Sequence, residues 1–500
     1  MVGDREAMLA QTPGLRRTTA PPLPPIAWRA TGPVAAAVVT VLLLLSPWYG
    51  YHRDELYFRL LGQTPAWGYF DQPPLTPLLA RLSTALFGDT VVGLRVVPAL
   101  CAGALILLGV AITRELGGGR GAQTLAAAGL GTGMFPLLAG HTLLTQSADF
   151  VFWTACVLCV LRALLRGDGR WWPAAGAVAG AATFNKHLIL LLLAGLAIGL
   201  LVPAGPAAKG PRAWFAGRWF WSGAALAALL ASPNVIYQAV HGWPQLTMAA
   251  TLSEPINRIM FVPMLVALLS MGAFVIAVAG WWWLCRRRET RPLAIAVLVT
   301  ILLGWVSGGR ADYVAGSLIL AFAAGCVPAA TWMRARRARS RAVWWGLLGG
   351  SVIGIAIALP LLPLAALGSS PNEVPRESVG WPQFAAQVAG VYRAHPPGTV
   401  VITSNYGEAG ALNRFAPGIP VYSGHNELWH QGPPPETART VVAVGLPPER
   451  LRPRFTTCES AGAVDHGTGV ENEEQGLPIT VCSGPRTPWT SAWAGFRHAS

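Results

Sequence analysis

The sequence predicts a polytopic α-helical membrane protein with a small α/β domain after its last span. Three observations predict it. First, 53% of the 500 residues are hydrophobic and only 12% are charged, about half the charged share of soluble domains. Second, apolar runs of spanning length recur between Pro33 and Leu367. Third, the stretch from Gly368 to Ser500 is polar and alternates short β-type runs with helical ones. The net charge of +14 does not point to nucleic acid, because the arginines cluster between apolar runs and not on one polar surface.

Residues 1–30, rich in Pro, Thr and Ala, read as a disordered cytoplasmic tail with no cleavage site before the first span. Residues 31–367 form the membrane body. A span takes about 20 apolar residues. Pro33–Tyr49, Val91–Ile112, Gln123–Leu138, Asp149–Leu165, Phe220–Tyr237, Ile259–Leu284 and Val343–Leu367 each suit one span. Trp171–Val202 would be about 48 Å long as a single helix, and it holds Asn185, Lys186 and His187 at its centre. It is expected to break there. Leu293–Trp332 is expected to break in the same way at Gly308–Asp312, which brings the total to about eleven spans.

Charge then sets orientation. Arg114 and Arg120; Arg162, Arg166 and Arg170; Lys209, Arg212 and Arg218; Arg286, Arg287, Arg288 and Arg291; and the five arginines from Arg334 to Arg341 all fall in alternate loops. The positive-inside rule makes those loops cytoplasmic. The N-terminus is then inside, and two parts lie outside an inner (plasma) membrane: the loop 51–90 and the domain 368–500. In the loop, Leu75, Leu78, Leu79 and Leu82 have the spacing of an interfacial helix. In the domain, 400–403, 441–444 and 479–481 read as strands and 383–392 as a helix. Cys458 and Cys482 lie there, where a disulfide fits an oxidising compartment. Cys156 and Cys159 fall inside an apolar run and read as packing residues.

Chemistry-bearing residues gather on the outer face. Asp54 and Glu55 follow the first span directly, and two adjacent carboxylates at a span terminus suit a general base, although a solvated turn is an equal reading. Asp71 precedes Pro73 and Pro74, which stiffen the chain beside it. Asp149 opens the fourth span from the same side. Of the 37 Lys and Arg residues only Lys186 and Lys209 are lysines, and Lys186 lies at an outer helix junction. Arg95, Arg258 and Arg310 are on or near that face, with Tyr313 close to Arg310. Such cations suit a lipid-linked phosphate, or else snorkel to headgroups. Asn405–Glu408 follows a strand and opens a helix; it reads as a folding turn, or as a backbone site for an anionic group.

These features together resemble a known family. The Asp54–Glu55 pair, the acidic residue before Pro-Pro-Leu, Gly93-Leu94-Arg95-Val96-Val97-Pro98, the Asp149 span and Ala182-Thr183-Phe184-Asn185-Lys186 are similar to polyprenyl-phosphate-dependent glycosyltransferases of the GT-C fold, glycosyltransferase family 39. That superfamily includes protein O-mannosyltransferases and the transferase that adds aminoarabinose to lipid A. Ser232-Pro233-Asn234, His241-Gly242-Trp243-Pro244, Asn405–Gly410 and Tyr422–Asn426 extend the likeness over about residues 40–445.

The resemblance implies inverting transfer of a sugar, mannose first, from a polyprenyl-phosphate donor to an acceptor hydroxyl on a protein, glycan, lipid or secondary metabolite. It makes Asp54 the base, with Glu55 and Asp71 beside it. Lys186, Arg95 and Arg310 would hold the departing phosphate, and Asp149, His241 and Tyr313 would be further site positions. Asp71 and His241 match positions that hold a divalent ion in some relatives, which leaves a metal open. Tyr57 and Gln72 stand where the aminoarabinose transferase has Arg and Lys, which argues against that sugar. The alternative is a lipid or glycolipid transporter or flippase, which would place ionisable residues near the bilayer midplane. A scaffold displaying the α/β domain would have no use for the acidic loop.

Overall fold

The computed structural model describes residues 23–202, 215–368, 370 and 372–499. Most of the expected tail and the loop holding Lys209 and Arg212 lie outside these residues. The membrane body runs through α1 (Trp28–Leu45), α2 (Arg53–Leu61), α3 (Leu75–Phe87), α4 (Val91–Glu115), α5 (Arg120–Gly131), α6 (Met134–His141), α7 (Thr145–Arg166), α8 (Trp171–Ala182) and α9 (Ile189–Leu201). It continues through α10 (Arg218–Val240), α11 (Pro244–Thr251), α12 (Pro255–Leu269), α13 (Met271–Arg286), α14 (Arg291–Val306), α15 (Ala315–Arg334) and α16 (Arg337–Ala358).

The eleven expected spans all correspond to helix, but among the described residues six helical stretches are long and apolar enough to cross a membrane alone. A seventh would pair α11 with α12, which meet at 80°. The others are shorter or broken, for local reasons. The polar Asn185–His187 junction separates α8 from α9, and Gly308–Arg310 separates α14 from α15, both at the expected places. Thr132 and Gly133 part α5 from α6. Ile259–Leu284, expected to be one span, is two helices meeting at Ser270, whose φ of 93° no continuous α-helix admits.

Helix packing relies on small residues. Gly280 of α13 faces Gly325 of α15 so closely that a Cβ at Gly280 would stand 1.9 Å from the Ala321 carbonyl. Lipid offers no hydrophobic force between helices, so close backbone approach supplies the contact.

After α16 the chain enters the C-terminal domain, with α17 (Trp381–Arg393), β1 (Val400–Thr403), α18 (Tyr406–Phe415), β2 (Val421–Ser423), β3 (Thr440–Val444), β4 (Phe455–Ala463) and β5 (Pro478–Pro485). The sheet order is β2-β1-β3-β5-β4; β1 is parallel to both neighbours, and β3, β5 and β4 pair antiparallel. Cys458 and Cys482 face each other across β4 and β5 and are bridged.

The domain shares a core with the first loop. Leu56, Tyr57, Phe58 and Leu61 of α2 are buried with Trp381, Phe384, Leu412 and Val442. Burying each such side chain contributes about 1.5–3 kcal/mol. Gly410 of α18 makes the contact close, since a Cβ there would lie 2.8 Å from the Leu56 backbone. Loop and domain therefore occupy one side of the helical body.

Candidate active site

The segment after α1 is a helix, not the polar loop expected, and its N-terminus sends two neighbouring carboxylates in different directions. His52 caps α2: its Nδ1 accepts the Asp54 N–H at 3.2 Å, and the His52 N–H donates to Glu55 Oε2 at 2.9 Å. Successive helical residues point about 100° apart. Glu55 turns inward and is fully buried, while the Asp54 side chain stays 29% exposed.

Glu55 and Arg95, both expected at the reacting centre, pair with each other. Arg95 donates Nε and Nη2 to the two Glu55 oxygens at 2.9 and 2.7 Å, and the Leu143 N–H donates to Glu55 at 2.9 Å. The remaining Arg95 donors reach the Ser46 and Gly50 carbonyls and His141. The pair joins α1, α2, α4 and the α6–α7 turn, and has no donor left for a phosphate. Neither its burial nor its partner could be read from two sequence positions forty residues apart.

Asp54 faces the C-terminal domain, where the Tyr406 hydroxyl donates to its Oδ1 at 2.8 Å. Burial opposes the carboxylate charge, but His52, Arg53, the Tyr406 hydroxyl and Arg310 together hold it below the usual range. Asp54 is thus ionised at neutral pH, partly open and held in place by a hydroxyl. Tyr406 continues a stack: its ring lies 4.4 Å from Tyr57 and 4.7 Å from His425, which stacks on His498. Sequence reasoning gives no role to Tyr406 or His425, and weighs Tyr57 only as a missing phosphate-binding charge. The signal available is the Asn405–Gly410 and Tyr422–Asn426 stretches, of which only Asn405–Glu408 carries an expectation, a folding turn or a backbone site for an anion.

Asp71 closes the other side of this stack. Tyr57 donates to its Oδ1 at 3.0 Å and Asn426 approaches Oδ2 at 3.4 Å. Burial pushes the Asp71 carboxyl up to about 7. Glu427, also pushed up by burial, accepts the Phe70 N–H at 2.7 Å and so anchors the segment before Asp71. Gln72 is buried.

The cations come from the two helix breaks. Asn185 fixes the first: it accepts from Thr76 Oγ1 at 3.1 Å and donates to the Thr145 carbonyl at 2.8 Å. Lys186 follows, its Nζ 5.0 Å from the Tyr313 ring centre and within the field of Asp149, Asp312, Arg310 and Asp54. Arg310, from the second break, has Asp312 as its ion-pair partner among the described residues, Nε to Oδ1 at 3.0 Å. Its side chain is 61% exposed, and it also lies within the field of Asp54. Asp312 is held in turn by Gln146 at 2.8 Å. Asp149 is buried, with one oxygen lacking a hydrogen-bond donor.

Lys186 therefore stands within electrostatic reach of Asp54, Asp149 and Tyr313, and Arg310 within reach of Asp54 and Tyr313. His241 does not join them: it is exposed, stacked on Tyr237 with ring centres 4.1 Å apart, and its Nδ1 lies 2.8 Å from the Tyr237 carbonyl. Among the described residues no third ligand-type side chain groups with Asp71 and His241. Arg258 donates to the Val306 carbonyl at 3.1 Å, on the flank of the second break.

A helical membrane body carrying an α/β domain on one side matches the GT-C glycosyltransferase fold, and this chain has that fold. The match is made at two levels. Residues 71–237 match the family model for dolichyl-phosphate-mannose-protein mannosyltransferase. The fold aligns with ArnT from Cupriavidus metallidurans in the apo state at a TM-score of 0.60 and 15% identity, over 90% of this chain and 98% of that one. The same enzyme bound to undecaprenyl phosphate aligns at 0.56, with equal identity and coverage.

The oligosaccharyltransferase of Archaeoglobus fulgidus aligns at 0.50 and 13% identity, over 79% of this chain and 64% of that one. The mycobacterial arabinofuranosyltransferase AftD aligns at 0.50 and 15% identity, over 92% of this chain and 40% of that one. No curated protein sequence matches the chain.

Proposed function

We propose that this protein is an integral-membrane glycosyltransferase that moves a sugar from a polyprenyl-phosphate donor to an acceptor hydroxyl on the extracytoplasmic face. The observation that carries this reading is the Asp54 carboxylate, ionised, partly exposed and in the field of Arg310 and Lys186. Support comes from the mannosyltransferase family model and from the ArnT structure that binds undecaprenyl phosphate. The outward orientation rests on the arginine asymmetry of the loops.

In this mechanism the acceptor hydroxyl gives its proton to Asp54 as its oxygen attacks the anomeric carbon. The bond from that carbon to the phosphate oxygen breaks on the opposite face, so the configuration inverts. Polyprenyl phosphate leaves with the electron pair. Arg310 and Lys186 stabilise its growing charge, as preorganised cations aimed at a leaving phosphate do. Tyr406 fixes the Asp54 rotamer. Asp71, near 7, shares the acceptor side and can hold or release a proton at neutral pH. Glu55 and Arg95 set the α2 N-terminus and touch no substrate. Tyr57 and Gln72 bring no charge to the donor phosphate, which favours a neutral hexose, mannose first, over aminoarabinose.

The test is a donor panel. Purified protein is given undecaprenyl phosphate esterified to radiolabelled mannose, glucose, arabinose or aminoarabinose, with a membrane extract as acceptor source. Mannose transfer supports the full reading. Transfer of another sugar keeps the reaction and corrects the donor, and no transfer from any donor removes the proposal.

A further inference from the structure

Behind Asp54, on the far side of Arg53, three carboxylates converge from two segments. Glu377 belongs to the linker between α16 and α17, and Glu473 and Glu474 to the loop between β4 and β5. Each offers an oxygen, and these oxygens lie within 4.8 Å of one another. Like charges so close repel, and the repulsion grows as water is excluded.

The cluster is also under-satisfied. Glu474 is 1% exposed, yet neither of its oxygens has a hydrogen-bond donor, and one oxygen of the buried Glu377 is likewise unpartnered. Buried carboxylates are ordinarily hydrogen-bonded or paired. Arg53, whose charge acts on Glu377 and Glu474, is engaged by Glu473, the outermost of the three. Glu408 is a fourth carboxyl in the neighbourhood, pushed up to about 8 by burial, and its own oxygens are occupied by Ser404 and Asn405. The loop is held against the linker by Asn472, whose Nδ2 approaches the Arg376 and Val379 carbonyls and whose Oδ1 accepts from the Glu474 and Gln475 N–H groups. The carboxylates are therefore kept together by the scaffold despite their charge.

We propose that Glu377, Glu473 and Glu474 bind a divalent cation of the hard, oxygen-seeking class, Ca2+ first. Two oxygens each about 2.4 Å from one Ca2+ stand at most about 4.8 Å apart, which the observed spread satisfies. Carboxylates alone, without His or Cys, select against zinc and copper. The ion would lie behind Arg53, the residue before Asp54, and would tie the linker to the domain. This assignment is independent of the reaction proposed above. Its rival is a proton: burial and the Glu377 charge would push Glu474 up to about 9, leaving it neutral.

Calorimetric and thermal titrations of the full detergent-purified chain, stripped with chelator, separate the two. Ca2+ should raise the melting temperature saturably, half-maximally at about 0.1–1 mM as in extracellular sites, and should release protons on binding. Glu474→Gln and Glu377→Gln should fold, since each relieves repulsion, and should lose the Ca2+ response at least tenfold. Absence of any response to Ca2+, Mg2+ or Mn2+ overturns the proposal. So does a wild-type response in Glu474→Gln.

Discussion

Glu55→Gln should unfold the entrance to the site more than it alters the chemistry. Glu55 is fully buried and accepts four hydrogen bonds, from the His52 N–H, Arg95 Nε, Arg95 Nη2 and the Leu143 N–H. Glutamine keeps one accepting oxygen and replaces the other with a donor, so donors now face a donor. Arg95, itself only 1% exposed, becomes a buried cation without a counter-charge. Breaking such a pair from one side costs about 3–5 kcal/mol.

Thermal unfolding of the purified chain should show a fall of several degrees. Asp54→Asn, one residue earlier, should move the transition very little, because its side chain is partly exposed and asparagine still accepts from Tyr406. The double variant Glu55→Gln/Arg95→Met should recover much of the loss, since it removes the stranded charge. A Glu55→Gln protein as stable as wild type, or a double variant that is simply additive, would contradict the structural role assigned to the pair.

Three further outcomes follow from the geometry. Tyr406→Phe removes a hydroxyl that helps hold Asp54 below the usual range; the folded-state value rises, so the acid limb of the rate profile should move to higher pH, which a pH–rate series measures. Lys186→Ala and Arg310→Ala should each weaken donor use by about 1.5–3 kcal/mol, the worth of one charged hydrogen bond, read as a fall in kcat/KM for the donor with acceptor KM unchanged. Cys458→Ser opens the bridge across β4 and β5, 24 residues apart in sequence, and should destabilise the domain by about 3 kcal/mol, seen as easier proteolysis of the C-terminal part.

Much of the fold was legible because membrane helices advertise themselves by composition. The breaks at Asn185–His187 and Gly308–Asp312 were legible too, since each stretch is too long for one span and carries charge at its centre, where charge is costly. The break at Ser270 was not: nothing near it is charged, and only the backbone shows the turn. Strand β2 is three residues long, and β4 is an edge strand with most of its side chains exposed, so neither carries the alternation that marks a buried strand. α2 was read as a loop because it lies directly after a span and its buried face is completed only by the distant domain. At the site, Asp54, Lys186 and Arg310 could be nominated from residue type and place. Arg95 could not be told from them, because its partner Glu55 was itself a candidate. Tyr406 escaped notice because its role depends on α18 docking against α2.

The most direct test of the account compares wild type with Asp54→Asn for release of undecaprenyl phosphate from a labelled undecaprenyl-phosphate sugar, with folding of both checked by thermal unfolding. A positioned general base contributes about a hundredfold to ten-thousandfold in rate. The account predicts turnover by wild type and a loss of that size in a variant that stays folded. A folded Asp54→Asn protein working within about threefold of wild type would contradict it and move the base to Asp71 or Asp149.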